Sequence, residues 1–173
     1  MTVLSTVRFK LTPARKSSSV ELHTLWTSQG VRRFLFDDEV LHYEKTVELL
    51  AESERLHRTE GTGLWLITTQ EAEDLLGFVG FWYFRQPPEL ELLYGVDERY
   101  WRRGIATETA RAMLEHGLGP LQMTNVTAST DFENTASARV MDRIGMRFSR
   151  RAVIEGRDTV FYTASRQIPH QRS

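Results

Sequence analysis

The sequence predicts an α/β (α+β) fold in which helices flank a mixed, mostly antiparallel central sheet. The stretch from 90 to 128 has the order strand, helix, strand, which is typical of a parallel crossover. Two apolar strands joined by a short turn over 64–84 predict an antiparallel hairpin, and a second hairpin follows over 146–164. One crossover and two hairpins together favour a mixed sheet over a purely parallel one.

The remaining elements follow from the spacing of apolar residues. Apolar and polar residues alternate over 6–11, which predicts a half-buried strand. Helices are predicted at 17–28, 40–57 and 134–144, and a loop at 32–39 separates the first two. The buried stripe of the second helix is predicted to consist of Val40, Leu41, Tyr43, Val47, Leu50 and Ala51.

Composition limits the class of protein. The chain has 173 residues, 40% of them hydrophobic and 26% charged, with a net charge of −1. We expect a single domain over residues 1–173, with a frayed tail after about residue 165. The balanced charge gives no reason to expect a nucleic-acid partner. The longest apolar run, 75–84, is too short to span a bilayer, so we expect a cytoplasmic protein with no membrane partner.

Cysteine and histidine usage narrows the chemistry. The chain has no cysteine, which excludes disulfides, thiolate metal sites and a cysteine acyl-enzyme. Its five histidines show no close ligand spacing, so we expect no metal. Any group transfer must therefore be direct or must use another nucleophile.

The stretch from Glu91 to Glu108 carries the clearest chemical signal. A strand runs through a short loop into a helix that Gly104 opens. The first N–H groups of a helix lack internal partners, and with the helix dipole they form an anion site suited to a pyrophosphate. Gly104 permits a close approach to the backbone, and Arg102 and Arg103 add positive charge. These residues alone leave open a plain crossover loop with solvated arginines.

A second signal lies at the start of the last helix. Asn134 stands where an N-cap belongs. Ser137 precedes Val140, Met141 and Ile144 at helical spacing and so shares their buried face. Its hydroxyl either bonds to the carbonyl four residues back or faces a cleft and donates a proton. The residues alone leave both interpretations open.

Together the two segments resemble the GNAT superfamily of acetyl-CoA-dependent N-acetyltransferases, and in particular its RimJ/RimL type, which acetylates ribosomal-protein N-termini. That type typically shows Glu-Ile-Gly-Tyr, then Tyr-Trp-Gly-Lys-Gly-Tyr-Ala-Thr-Glu, then Asn-x-x-Ser-x-Arg. This sequence has Glu91-Leu-Leu-Tyr94, Tyr100-Trp-Arg-Arg-Gly-Ile-Ala-Thr-Glu108 and Asn134-x-x-Ser137-x-Arg139. The resemblance covers most of the chain and implies the GNAT fold. It departs at Arg102, where a small residue is usual, and at Met146, where Phe is common.

The resemblance implies acetyl-CoA as co-substrate. The pantetheine arm would lie beside the strand at 90–96 and be held by backbone groups of Tyr94 and Val96. Asn134 would contact the pantetheine region in addition to capping its helix. The pyrophosphate would be held by the loop residues Arg102, Arg103, Gly104, Ile105, Ala106 and Thr107.

The resemblance also implies direct acetyl transfer to a primary amine. Ser137 would act as the acid that protonates the departing thiolate. Glu91 would act as the base that receives the proton of the amine. From the residues alone, a salt-bridged strand carboxylate is an equally good interpretation of Glu91.

The acceptor amine is expected to enter between the segment 29–42 and the last hairpin. Asp37, Asp38 and Glu39 in that segment either attract a cationic amine or are ordinary exposed acids. A peptide N-terminus, an aminoglycoside, a polyamine and a small amino acid all stay open as acceptors. The sequence also leaves open other acyl groups, a homodimer, and a non-catalytic CoA-binding module.

Overall fold

The strands of the molecule join into one sheet. A computed structural model describes residues 2–72, 74–85 and 87–166. Within these residues the strands are β1 (Leu4–Ser5), β2 (Phe9–Pro13), β3 (Gly63–Thr69), β4 (Gly77–Phe84), β5 (Glu89–Val96), β6 (Asn125–Asp131), β7 (Arg147–Ile154) and β8 (Arg157–Ser165). The helices are α1 (Ser19–Thr27), α2 (Gln29–Leu35), α3 (Tyr43–Thr59), α4 (Ile105–Leu118) and α5 (Thr135–Arg143).

The sheet is mixed and mostly antiparallel, which confirms the predicted fold class. Its strand order is β1-β2-β3-β4-β5-β6-β8-β7. β5 and β6 run parallel, as the crossover through α4 requires, and the other neighbours run antiparallel. The order places β5 and β6 inside the sheet, with neighbouring strands on both sides.

Helices cover both faces of this sheet, and each face has its own core. α4 and α5 pack on one face around Val79, Phe81 and Met113. α1, α2 and α3 pack on the other face around Trp26 and Phe78. Because strand residues alternate between the faces, neighbouring residues of β4 and β5 serve different cores. We call these the α4–α5 face and the α1–α3 face.

The region between the first two predicted helices differs from the prediction. A short helix, α2, replaces much of the expected loop, and the next helix begins at Tyr43 rather than at residue 40. Val40 lies outside that helix and is 61% exposed. The buried side of α3 consists of Thr46, Leu50, Ser53, Leu56 and His57.

Polar residues of α3 are buried because they bind the backbone of β3. The Leu64 N–H donates to Ser53 Oγ at 2.9 Å, and the Leu64 carbonyl lies 2.8 Å from His57 Nε2. Burial lowers the pKa of His57, although the backbone hydrogen bond opposes this. A search for apolar spacing cannot find such a face, so the predicted stripe shares only Leu50 with the fully buried residues of α3, and it was wrong at the exposed Val40 and Tyr43.

Two strands begin later in the structure than the sequence predicts. Val7 lies outside β2 and is 92% exposed, because Thr6 and Phe9 close a turn there with a 2.8 Å backbone hydrogen bond. The second strand of the predicted crossover, which the spacing of apolar residues puts at 121–128, begins only at Asn125. The preceding residues close the end of α4, where the Leu121 N–H donates to the carbonyl of His116 at 3.0 Å.

No helix among the described residues is long and apolar enough to cross a membrane. The predicted frayed tail falls mainly on residues 167–173, which lie outside the described residues.

Candidate active site

Two residues just before α4 have left-handed backbone conformations. Gly104 has a φ of +75° and Arg102 a φ of +62°, which is uncommon for a residue with a side chain. The Glu108 N–H donates to the Gly104 carbonyl at 3.0 Å and forms the first helical hydrogen bond. The N–H groups of residues 105–107 precede that bond and have no partner within the helix.

The loop before α4 combines these N–H groups with exposed positive charge. Arg102, Arg103 and Gly104 are all exposed. The guanidinium of Arg103 lies over the ring of Tyr100 at 5.5 Å. The Ile105 side chain is buried, so this residue could contribute only its backbone to an anion site.

A contact with the N-terminal segment supports this loop, and sequence reasoning missed it. Arg8 Nε donates to Glu108 at 2.7 Å, and Arg8 Nη1 donates to the Arg103 carbonyl at 3.0 Å. Thr6 Oγ1 also donates to Glu108, at 2.6 Å. Burial raises the pKa of Glu108, but the hydrogen bonds from Thr6 and Arg8 outweigh it, and the net shift is downward.

β5 and β6 separate beyond a single point of pairing. Glu91 pairs with Thr127 in register, and residues 92–96 have no register partner in β6 within the described part of the chain. The opening between the two strands therefore starts next to Glu91.

The backbone of β5 faces this opening at Tyr94 and Val96. The Asp97 N–H donates to the Leu76 carbonyl, on the β4 side, at 2.9 Å. Backbone groups of an antiparallel strand alternate in direction, so those of Val96 and Tyr94 point toward β6. The Val96 carbonyl accepts a hydrogen bond from Trp101 Nε1 at 2.7 Å. The N–H of Val96 and both backbone groups of Tyr94 remain on the open side.

Ser137 contacts the Tyr94 hydroxyl on the α4–α5 face. The two hydroxyl oxygens are 2.9 Å apart, and the Tyr94 O–H also donates to the Ser137 carbonyl at 3.0 Å. Asn134 Oδ1 accepts from the Ser137 N–H at 3.2 Å, which is an N-cap bond. Burial raises the pKa of Tyr94, and the hydrogen bond with Ser137 opposes the shift. Tyr94 therefore stays protonated at neutral pH.

Glu91 lies on the other face of β5 and is 1% exposed. It forms an ion pair with Arg85 and accepts a hydrogen bond from Ser129 Oγ at 2.6 Å. Arg85 also donates to Ser129 Oγ at 2.6 Å, and its guanidinium lies 4.7 Å above the ring of Phe161. This is the salt-bridged arrangement that the sequence left open. A catalytic role of Glu91 stays a prediction.

The two predicted catalytic side chains thus lie on opposite faces of the sheet where β5 and β6 separate. Tyr94 belongs to the core of the α4–α5 face. Glu91 is the cross-strand partner of Trp82, which packs against the core of the α1–α3 face. A molecule in the opening would have Ser137 on one side and Glu91 on the other.

The acids of the segment 29–42 are mostly paired. Asp37 lies 3.0 Å from Arg157, which also binds Asp131 at 2.8 Å. Asp38 binds Arg32 at 2.8 Å, and Glu39 is exposed. The ion pair between Asp37 and Arg157 brings this segment against the last hairpin, the two elements predicted to border the acceptor.

Four side chains of this region were missed from the sequence. The hydroxyl of Tyr94 and the carboxylate of Glu108 lie inside the motif, where the side-chain alternation of β5 and the first turn of α4 could have indicated them. Arg8 carries no local signal, because its partner Glu108 is 100 residues away in the chain. Arg85 is only six residues from Glu91, but the two meet only because a turn joins their strands.

Comparisons with known proteins identify the family and the fold. The family model described as acetyltransferase (GNAT) domain matches residues 8–147. The uncharacterized protein YkkB of Bacillus subtilis is 31% identical over 108 residues, which cover 61% of this chain and 63% of YkkB. The acetyltransferase of Agrobacterium tumefaciens has a similar fold, with a TM-score of 0.82 at 21% identity, covering 95% of this chain and 94% of that one. RimL, a ribosomal L7/L12 alpha-N-protein acetyltransferase solved with coenzyme A, also has a similar fold. Its TM-score is 0.80 at 18% identity, and the match covers 95% of this chain and 98% of that one.

Proposed function

The chain belongs to the GNAT acetyltransferase family, and on that premise we propose that it moves the acetyl group of acetyl-CoA directly to a primary amine. The observation that carries this proposal is the position of the opening between β5 and β6. It lies between the hydroxyls of Ser137 and Tyr94 on one face and the Glu91 carboxylate on the other. Direct transfer is consistent with a chain that has no cysteine.

The residues present fit acetyl-CoA. Exposed cations and free N–H groups at the start of α4 suit a pyrophosphate, with Gly104 as the point of closest approach. Extended backbone at Tyr94 and Val96 suits an amide-bearing pantetheine arm. Acetyl-CoA supplies the reactive thioester. We assign phosphate binding to Arg102, Arg103, Gly104, Ile105, Ala106 and Thr107, and a pantetheine contact to Asn134.

On the α4–α5 face, Ser137 and Tyr94 would supply the proton that a departing thiolate needs. Their hydroxyls are in contact, and each can donate to a third atom once the other accepts. Because burial raises the pKa of Tyr94, its proton is retained until an anion appears beside it. Ser137 is the candidate acid, and Tyr94 positions it.

On the α1–α3 face, Glu91 is the candidate base. An amine must be neutral to attack a carbonyl, so its proton has to be accepted on this side. The carboxylate of Glu91 forms an ion pair with Arg85. Ser129 binds both partners and is in position to pass a proton to the carboxylate.

We favour a peptide or protein N-terminal α-amine as the acceptor. The support is the structural similarity to RimL, which is named as an alpha-N-protein acetyltransferase. A small-molecule amine is the alternative acceptor. A CoA-binding module without turnover would share the loop at Gly104 but would release no CoA.

The test is a transfer assay with acetyl-CoA and a panel of peptides and small amines. Free CoA thiol and acetylated product, identified by mass spectrometry, should rise together. Binding of acetyl-CoA, measured by calorimetry, without thiol release would support the non-catalytic module. Absence of both binding and turnover would contradict the proposal.

A further inference from the structure

An apolar cavity of about 60 Å³ lies between the α1–α3 helices and the sheet. It is bounded by α1, the end of α2, α3 and strands β3, β4 and β5. Its lining is apolar and aromatic on every side, and several of the lining side chains are only partly buried, which leaves a mouth toward solvent. The lining includes Trp26, Phe36, Leu49, Trp82, Phe84 and Leu93.

The cavity lies on the face of β5 that carries the predicted base. Leu93 is two residues from Glu91 on the same strand, so both side chains lie on one face. Trp82 is the cross-strand partner of Glu91. A group bound in the cavity would therefore be attached to an atom close to the carboxylate and to the opening between β5 and β6.

The size of the cavity limits what it can hold. An apolar cavity of roughly 150 Å³ is large enough to bind benzene. The cavity here is less than half as large, which favours a branched aliphatic group of a few carbon atoms over an aromatic ring.

Trp26, which lines the cavity, has a polar atom without a partner among the described residues. Trp26 is 1% exposed, and the atom is its Nε1. A buried N–H donor is normally satisfied, so a ligand that brings an acceptor atom gains more here than a pure hydrocarbon does. A carbonyl beside the amine, as in the first residue of a peptide, is such an acceptor.

We propose that this cavity selects the acceptor: it takes the short aliphatic side chain of an N-terminal residue whose α-amine is acetylated. The inference rests on the proposed function, because it places that amine beside Glu91. The substrate class is an α-amino amide with a branched aliphatic side chain such as that of valine or leucine. Small polar side chains leave the cavity unfilled, and aromatic ones are too large for it.

The experiment compares α-amino amides that differ only in the side chain. Glycinamide, serinamide, valinamide, leucinamide and phenylalaninamide are each assayed for kcat/KM with acetyl-CoA. Valinamide or leucinamide should exceed glycinamide by roughly tenfold or more, the discrimination that a few methylene groups provide in an apolar pocket. Serinamide and phenylalaninamide should show no such gain. A tripeptide that starts with leucine tells a peptide acceptor from a free small amine, because only a peptide-binding site favours the longer chain.

Binding is measured separately from turnover. Two of the lining residues are tryptophans, so fluorescence titration of the CoA-loaded protein reports the affinity for leucinamide and for serinamide. Tighter binding of leucinamide by about tenfold is expected. Equal affinities and equal kcat/KM values across the panel would overturn the inference while leaving the proposed acetyl transfer intact. Absence of turnover with every amine would instead overturn the proposed function and this inference with it.

Matched variants locate the selection in the cavity. Leu49→Phe fills the cavity and should lower the ratio of leucinamide to glycinamide activity by about tenfold. Leu66→Phe is the control: Leu66 packs against the same core but does not line the cavity, so its ratio should not change. Equal ratios in the two variants would overturn the inference. If Leu49→Phe does not fold, Leu49→Ala replaces it and should shift the substrate preference toward phenylalaninamide. An unchanged preference in that variant would also overturn the inference.

Discussion

The two faces of the sheet at the opening between β5 and β6 are built in different ways. The α4–α5 face presents free N–H groups, exposed arginines and two hydroxyls in contact. The α1–α3 face presents a buried ion pair and an apolar cavity. One face is suited to an anionic ligand that approaches from solvent, and the other to a small apolar group. On the proposed function, charge would recruit one substrate and packing would select the other.

The strongest contrast is between Glu91 and Ser137. Removing the Glu91 charge leaves Arg85, whose side chain is 20% exposed, with Glu89 at 3.6 Å as its remaining charged partner among the described residues. Breaking a buried pair typically costs about 3–5 kcal/mol. We expect Glu91→Gln to lower the free energy of unfolding by about 3 kcal/mol, measured by urea denaturation. The double variant Glu91→Leu with Arg85→Met should recover most of it, because an apolar pair leaves no charge unpaired.

A Glu91→Gln variant of normal stability and low kcat would contradict this expected loss of stability. It would mean that Glu91 acts as a free base and that the ion pair contributes little to the fold.

On the other face we expect an effect on chemistry rather than on folding. Ser137→Ala should lower kcat by on the order of 10²-fold while leaving the Kd of acetyl-CoA nearly unchanged, since loss of a general acid typically has this size. Tyr94→Phe should also lower kcat. The fold-decrease of kcat in the double variant should be smaller than the product of the two single fold-decreases, because the hydroxyls act together. Steady-state kinetics and calorimetry on the three variants measure this.

Single-turnover measurements serve as the control, because they separate the chemical step from product release. A normal single-turnover rate in Ser137→Ala would return Ser137 to the role of a half-buried helix serine.

A smaller effect is expected at Gly104, and it concerns affinity. A Cβ at Gly104 would lie 3.3 Å from Arg8 Nη2, and the φ of +75° strains any side chain. We expect Gly104→Val to raise the Kd of acetyl-CoA at least about tenfold, or 1.4 kcal/mol, measured by calorimetry on the folded protein. Gly145→Val is the control, because Gly145 also has a positive φ but nothing lies near its Cβ.

Both variants should lower the melting temperature, and only Gly104→Val should weaken binding. Equal affinities for acetyl-CoA in the two variants would mean that Gly104 only shapes the start of the helix.

The smallest effect is expected at Glu108. The pKa of this carboxyl is lowered in the folded protein, so its contribution to stability is present above the ordinary value of 4.5 and is lost as the pH falls through the folded value. Because Glu108 is partly exposed, we expect less than about 1 kcal/mol. Melting temperatures of wild type and Glu108→Gln should differ at neutral pH and converge in acid. A constant difference would show that the charge of Glu108 does not stabilise the loop.

The same contrast explains how much of the molecule could be predicted from its sequence. The start of α4 and the pair formed by Asn134 and Ser137 are local: backbone turn, cap and helix face lie within a few residues of each other. Such features can be recognised from the spacing of residues in the sequence. The fold class was predicted from the crossover and the hairpins around them.

The acceptor side was harder because its residues meet only in the folded chain. Trp26, Leu49 and Leu93 come from three elements, and nothing near any of them in sequence indicates a shared cavity. The buried face of α3 was missed because Ser53 and His57 are polar and are buried through bonds to β3. Arg85 could not be paired with Glu91 without knowledge of the turn that joins their strands.

A crystal structure of the protein with CoA tests the central claim most directly, since that claim assigns the co-substrate to one face and the acceptor to the other. It should show the pyrophosphate against the N–H groups of residues 102–107, the pantetheine arm beside Tyr94 and Val96, and the thiol near the Ser137 hydroxyl, with the apolar cavity free. CoA bound on the α1–α3 face, or with its pantetheine arm outside the opening between β5 and β6, would contradict the account.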